Sequence, residues 1–383
     1  VNVLHELKIP SGEAAAAILP RLSSVLDGNS PAVLPVPADD LRETERLRDA
    51  LSPGAEIDDA AALVVATSGT TGTPKGAMLS AAALRASGTA THLFLGGPGT
   101  WLLALPAHHI AGMQVLLRSV LAGTDPAILD VRAGFDPSAL AGAVARMSGR
   151  KYTSLVPTQL VKALDDAAAT EALAEFDAVL LGGAATPVPL RERALDAGIR
   201  VVRTYGMSET AGGCVYDGVP LAGVDLRIDD GRVVLGGATV ALGYRGMPQH
   251  PAFAEPGWFR TDDAGTLAGG VLTITGRLDE AISTGGLTVV PQVVEAALAT
   301  HPSVRECAVV GLPDERLGER VVVAVVASNE VTLSEIREHA ARTLDPTAAP
   351  RELYLVDSLP TRGPGKLDRA ALRATLVELA PSL

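Results

Sequence analysis

The stretch TSGTTGTPKG, residues 67–76, brings together groups that bind an anion. Glycines 69, 72 and 76 let backbone N–H groups turn toward one point. Thr67, Ser68, Thr70, Thr71 and Thr73 add hydroxyl donors, and Lys75 adds a positive charge, so the stretch reads as an anion cradle. It is not a Walker loop, because the GxxxxGK[ST] spacing counted from Gly69 puts Pro74 where the second glycine belongs. A Rossmann GxGxxG is absent here too. The alternative is a solvated Gly/Thr loop, and a lysine set among hydroxyls and glycines directly after a buried strand argues against it.

The elements around the loop follow from the apolar pattern. The run Ala61-Ala-Leu-Val-Val-Ala66 reads as a buried strand, and the Ala-rich segment 80–91 as a helix with Ser80 as N-cap, giving the order strand, loop, helix. Further strand-like runs fall at 101–105, 152–156, 178–181 and 199–202, with helical patterns near 112–122, 136–148, 157–174 and 187–197. That alternation predicts an α/β fold with layered sheets. From about residue 215 short strands with close turn signals predict a small β subdomain. After residue 279 a hairpin-like segment, a helix at 291–300, strands at 304–311 and 320–327, a helix near 333–344 and a short final strand predict a small α+β domain.

With 383 residues the chain exceeds what one core usually serves, so two domains are expected. Apolar residues at 47% supply a sizeable core, while aromatics at 3% leave no stripe for stacking nucleobases. The net charge of −12 repels phosphate backbones and anionic lipid, so neither nucleic acid nor membrane is an expected partner. Cys214 and Cys307 form no CxxC pair, which argues against a zinc site or disulfide framework and suits a reducing cytoplasm. No basic leader precedes a long apolar run, so we expect neither export nor anchoring, and a cytoplasmic protein.

TSGTTGTPKG resembles the signature loop of the adenylate-forming acyl-CoA synthetase superfamily, and further motifs follow in order. Leu105-Pro-Ala-His-His-Ile-Ala-Gly112 resembles the superfamily's Pro-x-x-His-x-x-Gly, which implies an acyl-pocket role for His109. Leu181-Gly182-Gly183-Ala184 resembles the strand end against which adenine lies. Tyr205-Gly206-Met-Ser208-Glu209-Thr210 resembles the segment whose tyrosine stacks on adenine, whose hydroxyl contacts phosphate and whose acid, here Glu209, holds Mg²⁺. A carboxylate able to share a hard cation with phosphate oxygens suits that chemistry.

Trp258-Phe-Arg-Thr-Asp-Asp263 resembles the Thr-Gly-Asp segment that binds ribose, with Asp262 in place of glycine, so that either acid could serve. Gly276-Arg277-Leu-Asp279 resembles the hinge motif, implying a ribose contact from Arg277 and a pivot at Asp279. Ser283 stands where lysine is common and Val293 where glutamate is, while Gly286 and Pro291 match. LPTRGPGKLDR, residues 359–369, resembles the C-terminal motif whose lysine, here Lys366, enters the adenylation site. The resemblance covers residue 60 to the end. It implies domains at 1–278 and 279–383, with the smaller one mobile.

The implied chemistry is attack of a carboxylate on the α-phosphorus of ATP, with Lys75, Lys366 and Mg²⁺ on Glu209 offsetting charge. A swing of the C-terminal domain would then present Gly285 and Gly286 near a channel for the thiol of coenzyme A. The loop begins earlier than is usual in the superfamily, from which a shortened N-terminal subdomain is expected. With the segments 96–112, 203–221 and 279–286, this resembles the compact o-succinylbenzoate-CoA ligases of menaquinone biosynthesis. The implied substrate is a small aromatic dicarboxylate, with His109, Gly206, Ser208 and the stretch to Gly213 as candidates for its site. Another aryl- or acyl-CoA ligase would share the motifs, as would an adenylation domain that loads a carrier protein. A non-catalytic nucleotide-binding protein fits least, given Lys75, Glu209, Asp263, Arg277 and Lys366 together. The resemblance also implies a homodimer.

Overall fold

The computed structural model describes residues 2–67, 74–346, 348–362 and 366–379, which cluster into two compact units. The first comprises Val1–Arg227, Val234–Thr261 and Ala268–Leu272, and the second Ile228–Val233, Asp262–Leu267 and Thr273–Leu383. The architecture is the expected mixed α/β one.

In the first unit, a seven-stranded sheet runs in the order Val219–Pro220, Gly212–Tyr216, Val201–Met207, Ala178–Leu181, Lys151–Leu155, Thr100–Leu103 and Ala127–Ile128. The five strands from Val201–Met207 to Ala127–Ile128 are parallel. Parallel strands are buried on both faces, which is why AVLL at 178–181 is apolar throughout and no more than 3% exposed. The helices Ile110–Ala122 and Val188–Asp196 make two of the crossovers. The expected helix at 157–174 is two, Pro157–Leu164 and Ala167–Ala174, because the Asp166 side chain accepts from Ala169 N at 2.8 Å and starts the second. The pattern at 136–148 yields only a 3₁₀ turn, Pro137–Ala139, and a short helix, Leu140–Val144.

A second sheet of the same unit has the order Gly243–Tyr244, Gly76–Ser80, Ala61–Ala66, Val33–Pro37 and His5–Ile9. It corrects the order strand, loop, helix. Gly76–Ser80 returns antiparallel to Ala61–Ala66, with Ala66 opposite Gly76, so residues 67–75 connect two hairpin strands. Only then does Ser80 cap the helix Ala81–Phe94, its Oγ accepting from Ala83 N at 3.1 Å. Two strands of this sheet, His5–Ile9 and Val33–Pro37, were also hidden in the first sixty residues. Val33–Pro37 contains prolines that lack a ladder N–H, and its pairing with Ala61–Ala66 is confined to Val33 and Leu63.

The four strands Val224–Asp229, Arg232–Gly237, Trp258–Ala268 and Val271–Arg277 form the expected β region, and their residues are divided between the two units. In the second unit, Leu287–Val289, Ile282–Thr284, Gly318–Ala327 and Val304–Asp314 form a sheet, with Glu352–Leu355 added parallel to Gly318–Ala327. Leu372 and Leu376, one helical turn apart, bury the helix Arg369–Leu379 against Ala308, Val310 and Val322. The described chain therefore ends on a helix, not on the expected strand. Among the described residues no helix is long and apolar enough to cross a membrane.

Candidate active site

Ser68, Gly69, Thr70, Thr71, Gly72 and Thr73 lie outside the described residues, but both ends of their loop are placed. Thr67 N donates to Lys75 O at 2.8 Å and closes its neck. The Lys75 side chain lies 3.3 Å from His250 Nε2 and 5.0 Å from the centre of the Tyr244 ring. That geometry suits an ammonium over an aromatic face.

The other face of this cluster is Glu209. It belongs to the 3₁₀ turn Ser208–Thr210, is 7% exposed, and accepts from the Tyr244 hydroxyl at 2.5 Å. Ser208 Oγ donates to Ala66 O at a long 3.5 Å. The first unit thus gathers Lys75, Ser208 and Glu209 beside the two ends of the 67–75 loop.

Tyr205 and Gly206 sit in the strand Val201–Met207, where the pairing with Gly212–Tyr216 shifts register. A Cβ on Gly206 would lie 2.1 Å from Gly212 O, so this turn admits only glycine. His109 stands at the N-cap position of the helix Ile110–Ala122, its ring tilted 42° to that of His108 with centres 4.2 Å apart. Burial pushes His108 below the ordinary imidazole range, partly opposed by Glu43 and Asp40. The motif glycine Gly112 has a steric cause as well, since its Cβ would approach Pro106 O to 2.4 Å. Gln114 Nε2, two residues on, donates to Ala211 O at 2.6 Å and ties this helix to the turn after Glu209. Gly182, Gly183 and Ala184 follow the end of Ala178–Leu181.

Asp263, Arg277 and Asp279 come together in the second unit. Arg277 Nη1 donates to Asp263 at 3.1 Å, while Nε and Nη2 fork onto Asp279 at 2.8 and 2.7 Å. Burial acts to lower the Arg277 pKa, but the hydrogen bonds to Asp279 and the charges of Asp263, Asp279 and Asp262 outweigh it, and the net shift is upward. The two adjacent acids are placed differently. The Asp263 side chain is 9% exposed and holds Arg277, whereas that of Asp262 is 59% exposed and pairs with Arg232 at 3.1 Å. Gly285 and Gly286 form the left-handed tip, φ +58° and +81°, of a hairpin between Ile282–Thr284 and Leu287–Val289. Ser283 occupies that hairpin with its N–H on Glu319 at 3.1 Å, and Val293 is exposed. Lys366 is placed by its backbone in the short strand Lys366–Leu367, paired with Arg362.

Sequence reasoning missed Tyr244 and His250. The only signal was an aromatic flanked by glycines in GYRG, residues 243–246, which has no spacing of its own to suggest a site. Among the described residues no group of three or more His, Cys, Asp or Glu could hold a metal by itself. A lone buried carboxylate suits Mg²⁺, which keeps waters and substrate phosphates as its other ligands.

A mixed α/β fold of two units, with a lysine and a buried acid at the ends of a Gly/Thr loop, is the arrangement expected of a nucleotide-dependent enzyme. The chain belongs to the AMP-binding enzyme family: the model of that family matches residues 7–244, and that of the AMP-binding enzyme C-terminal domain matches residues 293–366. It is 60% identical over 377 residues to a probable 2-succinylbenzoate-CoA ligase of Mycobacterium tuberculosis, covering 96% of this chain and 97% of that one. It is 35% identical to the 2-succinylbenzoate-CoA ligase of Salmonella typhimurium, over 82% of this chain and 68% of that one. Among solved structures, it is similar to o-succinylbenzoate-CoA synthetase (MenE) from Bacillus subtilis in complex with the acyl-adenylate OSB-AMP. There the TM-score is 0.76 at 25% identity, covering 98% of this chain and 88% of that one. ATP-bound MatB from Rhodopseudomonas palustris shares the fold, with a TM-score of 0.85 at 22% identity over 99% and 90%.

Proposed function

We propose that the chain is an AMP-forming 2-succinylbenzoate-CoA ligase, which joins its acid to coenzyme A at the expense of ATP. The observation that carries this reading is the 60% identity to a probable enzyme of that activity along nearly the whole of both chains. Menaquinone synthesis is its place in metabolism, and the cytoplasm, where ATP and coenzyme A are at hand, its compartment.

A carboxylate is a poor electrophile toward a thiol until one oxygen leaves as part of a better leaving group. In the first half reaction the carboxylate attacks the α-phosphorus of ATP and pyrophosphate leaves. Lys75 and the 67–73 loop hold the phosphates, Tyr205 stacks on adenine at the Gly182, Gly183, Ala184 strand end, and Asp263 with Arg277 binds the ribose. Glu209 would hold Mg²⁺, which supplies charge compensation to the phosphate oxygens when bound. Lys366 places its ammonium on the reacting oxygens, a preorganised electrostatic effect that requires no proton transfer. His109, Gly206 and Ser208 border the acid. In the second half reaction the thiol attacks the acyl carbon and AMP leaves, after the domain beginning at residue 279 swings about Asp279 to withdraw Lys366 and bring Gly285 and Gly286 to the thiol path.

The test is product analysis with 2-succinylbenzoate, ATP, Mg²⁺ and coenzyme A. One AMP per thioester is expected, and ADP or an acyl-phosphate would overturn the reading.

A further inference from the structure

Three residues beyond Lys366, the chain carries a charged hub that the reaction as described does not use. Arg369 opens the helix Arg369–Leu379, yet its side chain is only 16% exposed. Its Nη2 donates to Glu295 Oε2 at 2.8 Å and its Nη1 to Glu295 Oε1, a two-pronged fork. Nη1 also reaches Val309 O at 3.0 Å, and Nε donates to Glu280 Oε2 at 2.7 Å. Glu295 Oε1 in turn accepts from Val309 N at 2.7 Å. Every partner lies in the second unit.

The two carboxylates differ in what they hold. Glu295 is on the helix Pro291–Leu298 and, through Val309, fixes Arg369 to the strand Val304–Asp314, the frame of the domain. Glu280 directly follows Asp279 in sequence and also accepts from Gln292 Nε2. Gln292 Oε1 accepts from Arg277 N at 3.2 Å. A continuous run of hydrogen bonds thus leads from the residue before the pivot's neighbour, through Gln292 and Glu280, to Arg369.

On the other side, only Leu367 and Asp368 separate Arg369 from the lysine. Asp368 N donates to Pro360 O at 2.8 Å and closes the two-stranded hairpin in which Arg362 faces Lys366 and Thr361 faces Leu367. Asp368 Oδ1 accepts from Ala371 N at 3.0 Å and caps the helix. A short hairpin has little stability alone. The anchored helix start directly follows it, and a guanidinium with three partly buried anchors has few alternative positions.

We infer that Arg369 is a positioning residue for Lys366, fixing the lysine hairpin to the domain frame through Glu295 and to the hinge through Glu280. This rests on the adenylation role proposed above for Lys366. Its consequence is selective: loosening Arg369 misplaces a cation that the first half reaction needs and the second does not.

The test separates the half reactions in the full chain: pyrophosphate release for adenylation, and thioester formation from supplied acyl-adenylate and coenzyme A. Arg369→Lys keeps the charge but loses the fork. It is expected to lower kcat for adenylation about tenfold, since a misplacement near 1 Å can cost more than that. KM for ATP and acid, and the thioester step, stay within about twofold. Glu280→Gln, which leaves the Glu295 fork in place, gives the same pattern at smaller size and guards against misfolding of the first variant. Arg369→Lys added to Lys366→Ala costs nothing further, because Arg369 acts only through the lysine. Equal loss in both half reactions, or full additivity with Lys366→Ala, overturns the inference. Slow adenylation in Lys366→Ala with normal adenylation in Arg369→Lys overturns it alone. Undiminished adenylation in Lys366→Ala overturns the reading of Lys366 and this inference with it.

Discussion

Lys75 and Glu209, 134 positions apart in sequence, meet on opposite parts of one side chain: the lysine lies 5.0 Å over the Tyr244 ring, and the carboxylate accepts from its hydroxyl at 2.5 Å. The tyrosine therefore sets the separation of the two charges. It is itself held edge-on by His250 and Phe253, at 4.7 and 5.1 Å between ring centres.

Tyr244→Phe keeps the ring under Lys75 and removes a hydrogen bond to a buried carboxylate, an interaction of the stronger, charge-assisted kind. Adenylation is expected to slow about tenfold, with a higher Mg²⁺ concentration needed for half-maximal rate. Titration of initial rates against Mg²⁺ checks this, and an unchanged midpoint contradicts the coupling.

The adjacent acids should separate cleanly. Asp263→Asn leaves Arg277 with a weakened partner and removes the proposed ribose acceptor, so KM for ATP rises about tenfold or more. Asp262→Asn removes an exposed pair with Arg232 and a peripheral 4.0 Å contact with Arg277, and its effect is within about twofold. Steady-state kinetics on both variants decides between them.

Lys366→Ala removes a fixed cation from the first half reaction. Adenylation should fall on the order of 10²-fold, in line with the loss of an electrostatic donor, while thioester formation from supplied acyl-adenylate persists. Equal loss in the two steps contradicts a lysine that serves one of them.

His92 gives a pH signature of the fold. Burial, with the charge of Arg118, holds its pKa down to about 4, and its Nε2 accepts from Trp101 Nε1 at 3.3 Å. Above the unfolded value of about 6.5 both states are neutral and nothing is gained or lost. Between there and about 4 the unfolded chain takes up a proton that the native one resists, so stability falls as pH falls. Denaturant midpoints at about pH 7 and 5 should differ less in His92→Gln than in the parent; equal differences contradict the assignment.

Much of this was legible in the sequence, for reasons that can be located. The parallel strands announce themselves because burial on both faces demands apolar runs such as AVLL at 178–181. Gly112 and Gly206 carry motif information because a Cβ there would strike Pro106 O or Gly212 O. Gly76–Ser80 was hidden because GAMLS lacks β-branched residues and strict alternation, and Val33–Pro37 because of its prolines. In the site, contiguous motifs were readable, whereas Tyr244 and His250 reach Lys75 only through the pairing of Gly243–Tyr244 with Gly76–Ser80. Such a contact leaves no local trace.

The acid that the chain activates is read from kcat/KM for pyrophosphate release with 2-succinylbenzoate against a panel of benzoates and short fatty acids, each with and without coenzyme A. A clear preference for 2-succinylbenzoate, with turnover that depends on coenzyme A, is expected. A higher kcat/KM for another acid, or turnover indifferent to coenzyme A, would contradict it.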